Sequence, residues 1–265
     1  MNYTKILPGK RLESVIQFFW NFESAFSNSS IYKLSSTASV NPKLAFQYET
    51  GMMLNKNGKK ETFFASGFQS QTNSFYEMSA DKKVGIFGVS FQPFAIPLLF
   101  NIPANALTNH NIEISDLLGN EGKILQDKIE NCTTIEQRID TIKTFVEAKL
   151  TKSNFETDKL VTVVKTIQAH KGNINIEKLS ESYFLSQRQF ERKVKVLTGF
   201  SPKTFAGIVR FEECINSVYL HKLSLTELSL SVGYYDQSHM IRDFRKFTGK
   251  NPKEYFAEDH SIFFV

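Results

Sequence analysis

The chain has 265 residues, of which 41% are hydrophobic and 22% charged. That composition fits ordinary globular domains, excludes the disordered and fibrous classes, and leaves room for two cores. A formal net charge of +5 with a pI near 9.0 fits a polyanionic partner without requiring one, and no run of ~18 apolar residues is available to span a bilayer.

The N-terminus, Met1 to Pro8, lacks the apolar core and small-residue cleavage site of a signal peptide. Short apolar runs with strand-like alternation or β-rich composition then follow at Val15–Phe22, Lys43–Tyr48, Thr62–Phe68 and Val84–Phe91. Gly51 and the cluster Asn55-Lys56-Asn57-Gly58 separate them as turns would. After Pro93 the periodicity becomes helical: Pro93–Phe100 and Ile114–Leu118 read as short helices. Thr134 opens a longer one to about Leu150, with Thr134-x-x-Gln137 as a capping box. The expected first domain, residues 1–152, is therefore α+β, a β-barrel or sandwich followed by helices. Cys132 and Cys214 are far apart with no CxxC spacing, and read as two buried thiols in a reducing cytoplasm.

The polar stretch Thr151-Lys152-Ser153-Asn154 is the best linker, placing the boundary at 150–156. Residues 153–265 read as all helical and contain an internal repeat. Gly199-Phe200-Ser201-Pro202-Lys203-Thr204-Phe205 matches Gly249-Lys250-Asn251-Pro252-Lys253-Glu254-Tyr255 at an offset of fifty, whereas Leu179-Ser180 matches Leu228-Ser229 at forty-nine. One residue has been added in the second turn. Each copy reads as two helices joined by a tight turn, and a long helix from Pro202 to about His221 links the copies. Ser186 with Gln189 and Ser224 with Glu227 are capping boxes, Asp236 can cap, and Gly233 sits where the turn wants positive φ. Ser201-Pro202 and Asn251-Pro252 each place a capping residue before a proline at the first helical position.

In the second helix of the first copy, Phe190, Val194 and Leu197 form an apolar stripe opposite Arg188, Arg192 and Lys195. In the other copy Met240, Phe244 and Phe247 form the stripe, opposite Ser238, Arg242 and Arg245. Residues 186–203 carry five Lys/Arg against one Glu, and residues 242–253 carry five against one Asp. The basic charge is thus concentrated on these two helices and the residues just after them. A single such helix is most simply a solvated face; two copies with matching turns, caps and arginines point to double-stranded DNA. Arginine reads guanine bidentately, glutamine reads adenine, and lysine neutralises phosphate. The candidate DNA-binding residues are Ser186, Gln187, Arg188, Gln189, Arg192, Lys195, Gln237, Ser238, His239, Arg242, Arg245 and Lys246.

Residues ~157–257 resemble the AraC/XylS family of bacterial transcription regulators. The first copy resembles it in Ile176-x-x-Leu179-Ser180, in Leu185-Ser186-x-Arg188-x-Phe190-x-Arg192-x-Val194, and in Gly199-x-Ser201-Pro202. The second does so in Leu225-x-x-Leu228-Ser229, in Gly233-Tyr234-x-Asp236-Gln237-Ser238-His239-Met240-x-Arg242-x-Phe244-Arg245-Lys246, and in Thr248-Gly249-x-x-Pro252-x-x-Tyr255. The resemblance implies two recognition helices in successive major-groove segments of one nonpalindromic site. It puts Arg188, Arg192, Ser238, His239 and Arg242 at base or nearby backbone contacts. Phe184 stands where the family usually has Gly or another small residue, so the first turn is expected to be strained or reshaped. Ser180 and Ser229 replace the usual Ala at the helix crossing, where close packing should survive.

The first half resembles, more weakly, the sensor domain of such regulators, in Pro8…Trp20, Pro42-x-Leu44-x-Phe46-Gln47-Tyr48, Gly67-x-Gln69, Phe91-x-Pro93 and Ile114-x-Asp116-Leu117-Leu118-Gly119. The resemblance implies a domain that binds a small-molecule effector, dimerises, or both, and leaves RNA polymerase open as a further partner. Trp20, Phe46, Tyr48, Phe64, Phe68 and Phe91 are the candidate ligand-pocket aromatics, although aromatics in a barrel are more often plain core. No P-loop, GxSxG or clustered His/carboxylate set is present, so neither an enzyme, a cofactor nor a metal is expected. The alternative reading makes the first half a dimerisation or protein-contact scaffold without a ligand.

Overall fold

The computed structural model of the chain describes residues 2–24, 32–49, 52–56, 59–80, 83–151, 159–220 and 224–257. Nine strands open it: β1 (Asn2–Ile6), β2 (Ile16–Ser24), β3 (Tyr32–Ser36), β4 (Lys43–Glu49), β5 (Met52–Lys56), β6 (Lys59–Thr62), β7 (Ser66–Gln69), β8 (Tyr76–Ala80) and β9 (Val84–Phe91). Short helices α1 (Ala95–Phe100) and α2 (Ala104–Leu107) precede β10 (Asn111–Glu113), and α3 (Ile114–Leu118), α4 (Asn120–Glu130) and α5 (Ile135–Leu150) follow. The helical half comprises α6 (Lys159–Ala169), α7 (Ile176–Glu181), α8 (Gln187–Thr198), α9 (Pro202–Leu220), α10 (Leu225–Ser231), α11 (Gln237–Thr248) and α12 (Pro252–Ala257). Most of the expected 150–156 boundary, the turn residues Gly51, Asn57 and Gly58, and His221 lie outside the described residues.

The strands pair antiparallel into a six-stranded sheet, β1-β2-β9-β4-β7-β10, and a four-stranded one, β3-β8-β5-β6. The apolar run expected as one strand from Thr62 to Phe68 is two strands, because the chain changes sheet inside it. Thr62 ends β6 in the small sheet and Ser66 begins β7 in the large one. At the crossing Phe63 and Phe64 are both buried, with ring centroids 4.1 Å apart.

Successive side chains of a strand point to opposite faces, and the large sheet is covered on both. Phe19 of β2, Leu44 and Phe46 of β4, Phe68 of β7, and Phe87, Val89 and Phe91 of β9 pack with Leu125, Ile129, Ile139 and Ile142 of α4 and α5. The alternate positions Phe18, Trp20, Phe22, Ala45, Val84 and Ile86 face the small sheet, with Met52, Leu54 and Met78. Gly88 is required there, since a Cβ would run into the Trp20 indole. The capping box at Thr134 forms as expected. Cys132, between α4 and α5, is half-buried rather than buried, and both cysteines are free thiols.

In the helical half, Phe190, Val194, Phe205, Ile208, Phe211, Ile215, Met240, Phe244, Phe247 and Tyr255 form one core. The repeat is structural in detail. Thr198 donates its buried hydroxyl to the Val194 and Phe200 carbonyls at 2.9 and 3.2 Å, and Thr248 donates to Phe244 and Lys250 at 2.7 and 3.2 Å. Gly199 and Gly249 end the two helices at φ 83° and 77°. Ser180 and Ser229 are buried, and each donates its hydroxyl to the carbonyl three residues back, of Glu177 and Thr226.

The turn between α7 and α8 is strained, not reshaped. Phe184 takes φ 55° where Gly233 takes 82°, and both N–H groups reach back 3.2 Å, to Glu181 and Leu230 respectively. A left-handed conformation costs a non-glycine residue about 1–2 kcal/mol, and Phe184, 97% exposed, recovers almost nothing by burial. Phe184→Gly is expected to stabilise the helical half by about 0.5–1 kcal/mol, net of glycine's greater freedom in the unfolded chain. Urea denaturation checks this, and a lower midpoint in the variant would mean that the phenyl ring makes a stabilising contact.

Candidate nucleic-acid interface

The two basic helices, α8 and α11, are fixed by their ends. Ser186 and Gln189 form a reciprocal capping box on α8, and Asp236 accepts from the His239 N–H at 2.6 Å on α11. The apolar stripes go into the common core, which turns Gln187, Arg188, Arg192 and Lys195, and Ser238, Arg242, Arg245 and Lys246, outward and exposed. Among the described residues none of these lysines and arginines lies within 4.0 Å of a carboxylate oxygen. Their charges face solvent, which suits a polyanion.

Several candidate residues already have work within the protein. Ser186 and Gln189 hold each other as caps, with Gln189 Oε1 accepting from the Ser186 N–H at 3.2 Å and from its hydroxyl at 3.1 Å. Gln187 donates to Glu191 at 3.5 Å. Gln237 and His239 are half-buried, and the His239 ring stands edge-on to Tyr234 with centroids 5.1 Å apart. His239 Nε2 lies 3.9 Å from the Asp243 carboxylate, whose pKa is raised by burial against the pull of His239, Arg210 and Lys246. Arg210, in the middle of α9, donates to the Gly172 carbonyl at 2.9 Å and covers the Tyr234 ring at 5.3 Å. It therefore bridges the loop before α7 to the turn before α11, setting one repeat against the other.

Behind this surface the β-rich half docks onto the ends of both helices. Helix α2 packs on α8, and Thr108 donates to the Gly199 carbonyl at 3.3 Å. A Cβ on Gly199 would collide with Thr108 and Gln71, and one on Gly249 with the Phe75 ring. The Ala38 N–H donates to the Phe247 carbonyl at 3.1 Å, and the Val40 N–H to the Glu212 carboxylate of α9 at 3.0 Å. Ala38, Val40 and Phe94 belong to the core of the helical half.

Between the two sheets lies a narrow cavity walled by Trp20, Phe22, Met52, Phe63, Met78 and Ile86, with Ser35, Ser36, Thr37, Gln69 and Lys43 as polar lining. Of the six aromatic candidates, Trp20 lines it. Phe46, Phe68 and Phe91 point to the other face of the same sheet. Tyr48 shares that parity, bonds Asn21 and Glu23, and carries the Arg138 guanidinium 3.8 Å above its ring. Phe64 packs with its ring tilted against Phe63 beside the cavity. Lys43 was missed, although strand parity puts it on the face of Ala45. Burial pushes its ammonium down to about 8, against the attraction of Glu212 and helped by Lys5. Burial likewise pushes the Glu212 carboxyl up to about 7, against hydrogen bonds from Ser39 and Val40 and the charge of Lys43.

A family model described as a helix-turn-helix domain matches residues 179–258, where the two capped and basic helices lie. Residues 179–258 are an AraC-type helix-turn-helix domain. Such a domain is a DNA-binding unit, which fits the exposed basic faces of α8 and α11. A second model, described as a domain of unknown function, matches residues 4–113, the two sheets and the first short helices. Two crystal structures of ToxT from Vibrio cholerae share the fold at TM-scores of 0.50 and 0.51. Each is 13% identical and covers 90% of this chain, with 98% and 97% of the ToxT chain matched. A third, ToxT of strain SCE256 with an unsaturated fatty acid bound, matches at 0.50 and 13% identity over 93% of this chain and 98% of its own. Histidine kinase P4 of Formosa agariphila is 20% identical over 133 residues, 49% of this chain, which spans only 10% of that relative.

Proposed function

We propose that this AraC-type regulator reads one nonpalindromic DNA site with α8 and α11, under the control of an apolar ligand with an acidic headgroup held between the two sheets. The observation that carries the first part is the pair of capped helices with exposed, unpaired cationic faces on a shared core. The cavity supports the second: its walls are largely aromatic and thioether side chains, and its lining includes the half-buried Lys43. Apolar walls with one cation suit a hydrocarbon tail with a carboxylate, which must widen the cavity from its present volume of about 40 Å³ to enter. ToxT, which shares the fold, has been solved with an unsaturated fatty acid bound.

Footprinting on the promoter fragment upstream of its own reading frame tests the DNA reading, repeated across a salt series. A protected stretch with steep salt dependence is the expected result, and uniform protection of any DNA would refute sequence-specific reading. Thermal denaturation with oleate tests the ligand. The unfolding midpoint should rise as oleate exceeds its Kd, and Lys43→Met should remove most of the rise. An equal rise in that variant would place the ligand elsewhere.

A further inference from the structure

The turn before α8 holds one large side chain that the fold does not use. Tyr183, Phe184 and Leu185 are consecutive, and the outer two pack against the core of the helical half. The Tyr183 ring lies 6.3 Å from that of Phe190. Held between these two anchors, Phe184 stands 97% exposed at φ 55°. A left-handed backbone strains a bulky residue, and here no burial of the ring offsets the strain. The second unit relieves its own turn with Gly233, yet it too presents a ring there: Tyr235, directly before the cap Asp236, is 90% exposed.

What lies beside Phe184 is the cationic face. Two residues on, Ser186 caps α8, whose first turn, Gln187-Arg188-Gln189, is exposed and holds no carboxylate. A helix N-terminus itself favours negative charge, so a polyanion lying along Arg188 and Arg192 can approach the turn. A phenyl ring has no hydrogen-bonding group and gains little from a phosphate. The apolar features of DNA are the deoxyribose edges and the thymine 5-methyl, and only the methyl marks a particular base.

We infer that Phe184 is a base-reading contact: its ring, carried at the N-terminal edge of α8, meets the 5-methyl group of a thymine in the DNA site. The strained backbone holds the ring outward, and the burial that the free protein lacks is supplied by DNA. This rests on the reading of α8 as a helix that enters the major groove.

Uracil differs from thymine by that methyl alone, so a thymine-to-uracil scan of the footprinted fragment isolates the contact. For wild type, replacing one particular thymine should weaken binding about fourfold, the worth of one buried methyl. Phe184→Gly, which should fold more stably, is expected to bind the thymine site about tenfold more weakly and to be indifferent to that uracil. Phe184→Leu keeps an apolar side chain and should recover part of the affinity together with the preference for thymine. Equal affinity of wild type and Phe184→Gly for the site would overturn the contact and leave the ring to a protein partner. Uracil sensitivity that is the same in Phe184→Gly and wild type at every thymine would overturn the base reading, whatever the loss of affinity. Failure of wild type to protect any stretch specifically would overturn the reading of α8, and this contact with it.

Discussion

Arg192→Ala combined with Arg242→Ala is expected to abolish sequence-specific DNA binding while leaving the fold intact. Both side chains are exposed on the outer faces of α8 and α11, opposite the buried stripes that end at Leu197 and Phe247. Neither guanidinium pairs with a carboxylate among the described residues, so truncation leaves no buried charge behind. A bidentate arginine contact to a base is worth about 1–3 kcal/mol. Two such contacts amount to about 2–6 kcal/mol, or a loss of roughly 30-fold to 10⁴-fold in affinity. Gel shifts on the footprinted fragment, with circular dichroism to confirm folding, measure this. Lys195→Ala is the useful contrast: a phosphate contact should weaken specific and nonspecific binding alike and reduce the salt slope by about one. Wild-type affinity in the double variant would mean that other faces of these helices meet the DNA.

Phe244→Ala is expected to cost the helical half about 3–5 kcal/mol. The ring has no exposed surface and meets Phe211, Tyr255 and Phe256 edge-on at 5.1, 5.7 and 5.4 Å. It is the centre of an aromatic cluster joining α9, α11 and α12, and truncation would leave a cavity that three stiff neighbours cannot close. Since domains are stable by only about 5–15 kcal/mol, a loss of this size approaches unfolding of the second repeat. Urea denaturation followed by far-UV circular dichroism checks it, and a cost below about 1 kcal/mol would mean the cluster repacks. DNA binding should fall here as well, but together with helicity, which separates this variant from the arginine pair.

The helical half was legible because its signals are local. Ser186 with Gln189, Ser224 with Glu227, Asp236 before α11 and Gly233 in the turn are all defined by spacings of a few residues, and each does in the structure what its spacing implies. The repeat added a constraint that no single helix supplies, since the same hydroxyl lock at Thr198 and Thr248 had to serve twice. Even the departure at Phe184 was visible as a side chain where backbone sterics favour glycine, and the residue added in the second turn is Tyr235, 90% exposed.

The β-rich half was legible only as strands, because both faces of its large sheet are buried. Where one face meets water, alternation of polar and apolar residues tells inside from outside. Here Phe19 and Trp20, or Phe46 and Ala45, are equally apolar neighbours facing different cores. Aromatic character therefore could not separate Trp20, which lines the cavity, from Phe46, Phe68 and Phe91, which pack under α4 and α5. Nor could it show that Thr62 and Ser66 belong to different sheets.

What the sequence alone determined was the pair of capped basic helices, since capping, periodicity and glycine placement act within a few residues of each other. What the tertiary structure decided was everything that depends on which surfaces meet: the cavity between the sheets, Lys43 in its lining, and the bond from Val40 to Glu212 across 172 residues of chain. Contacts of that range are set by how two packed layers and a helical domain close on one another, and no local pattern encodes them.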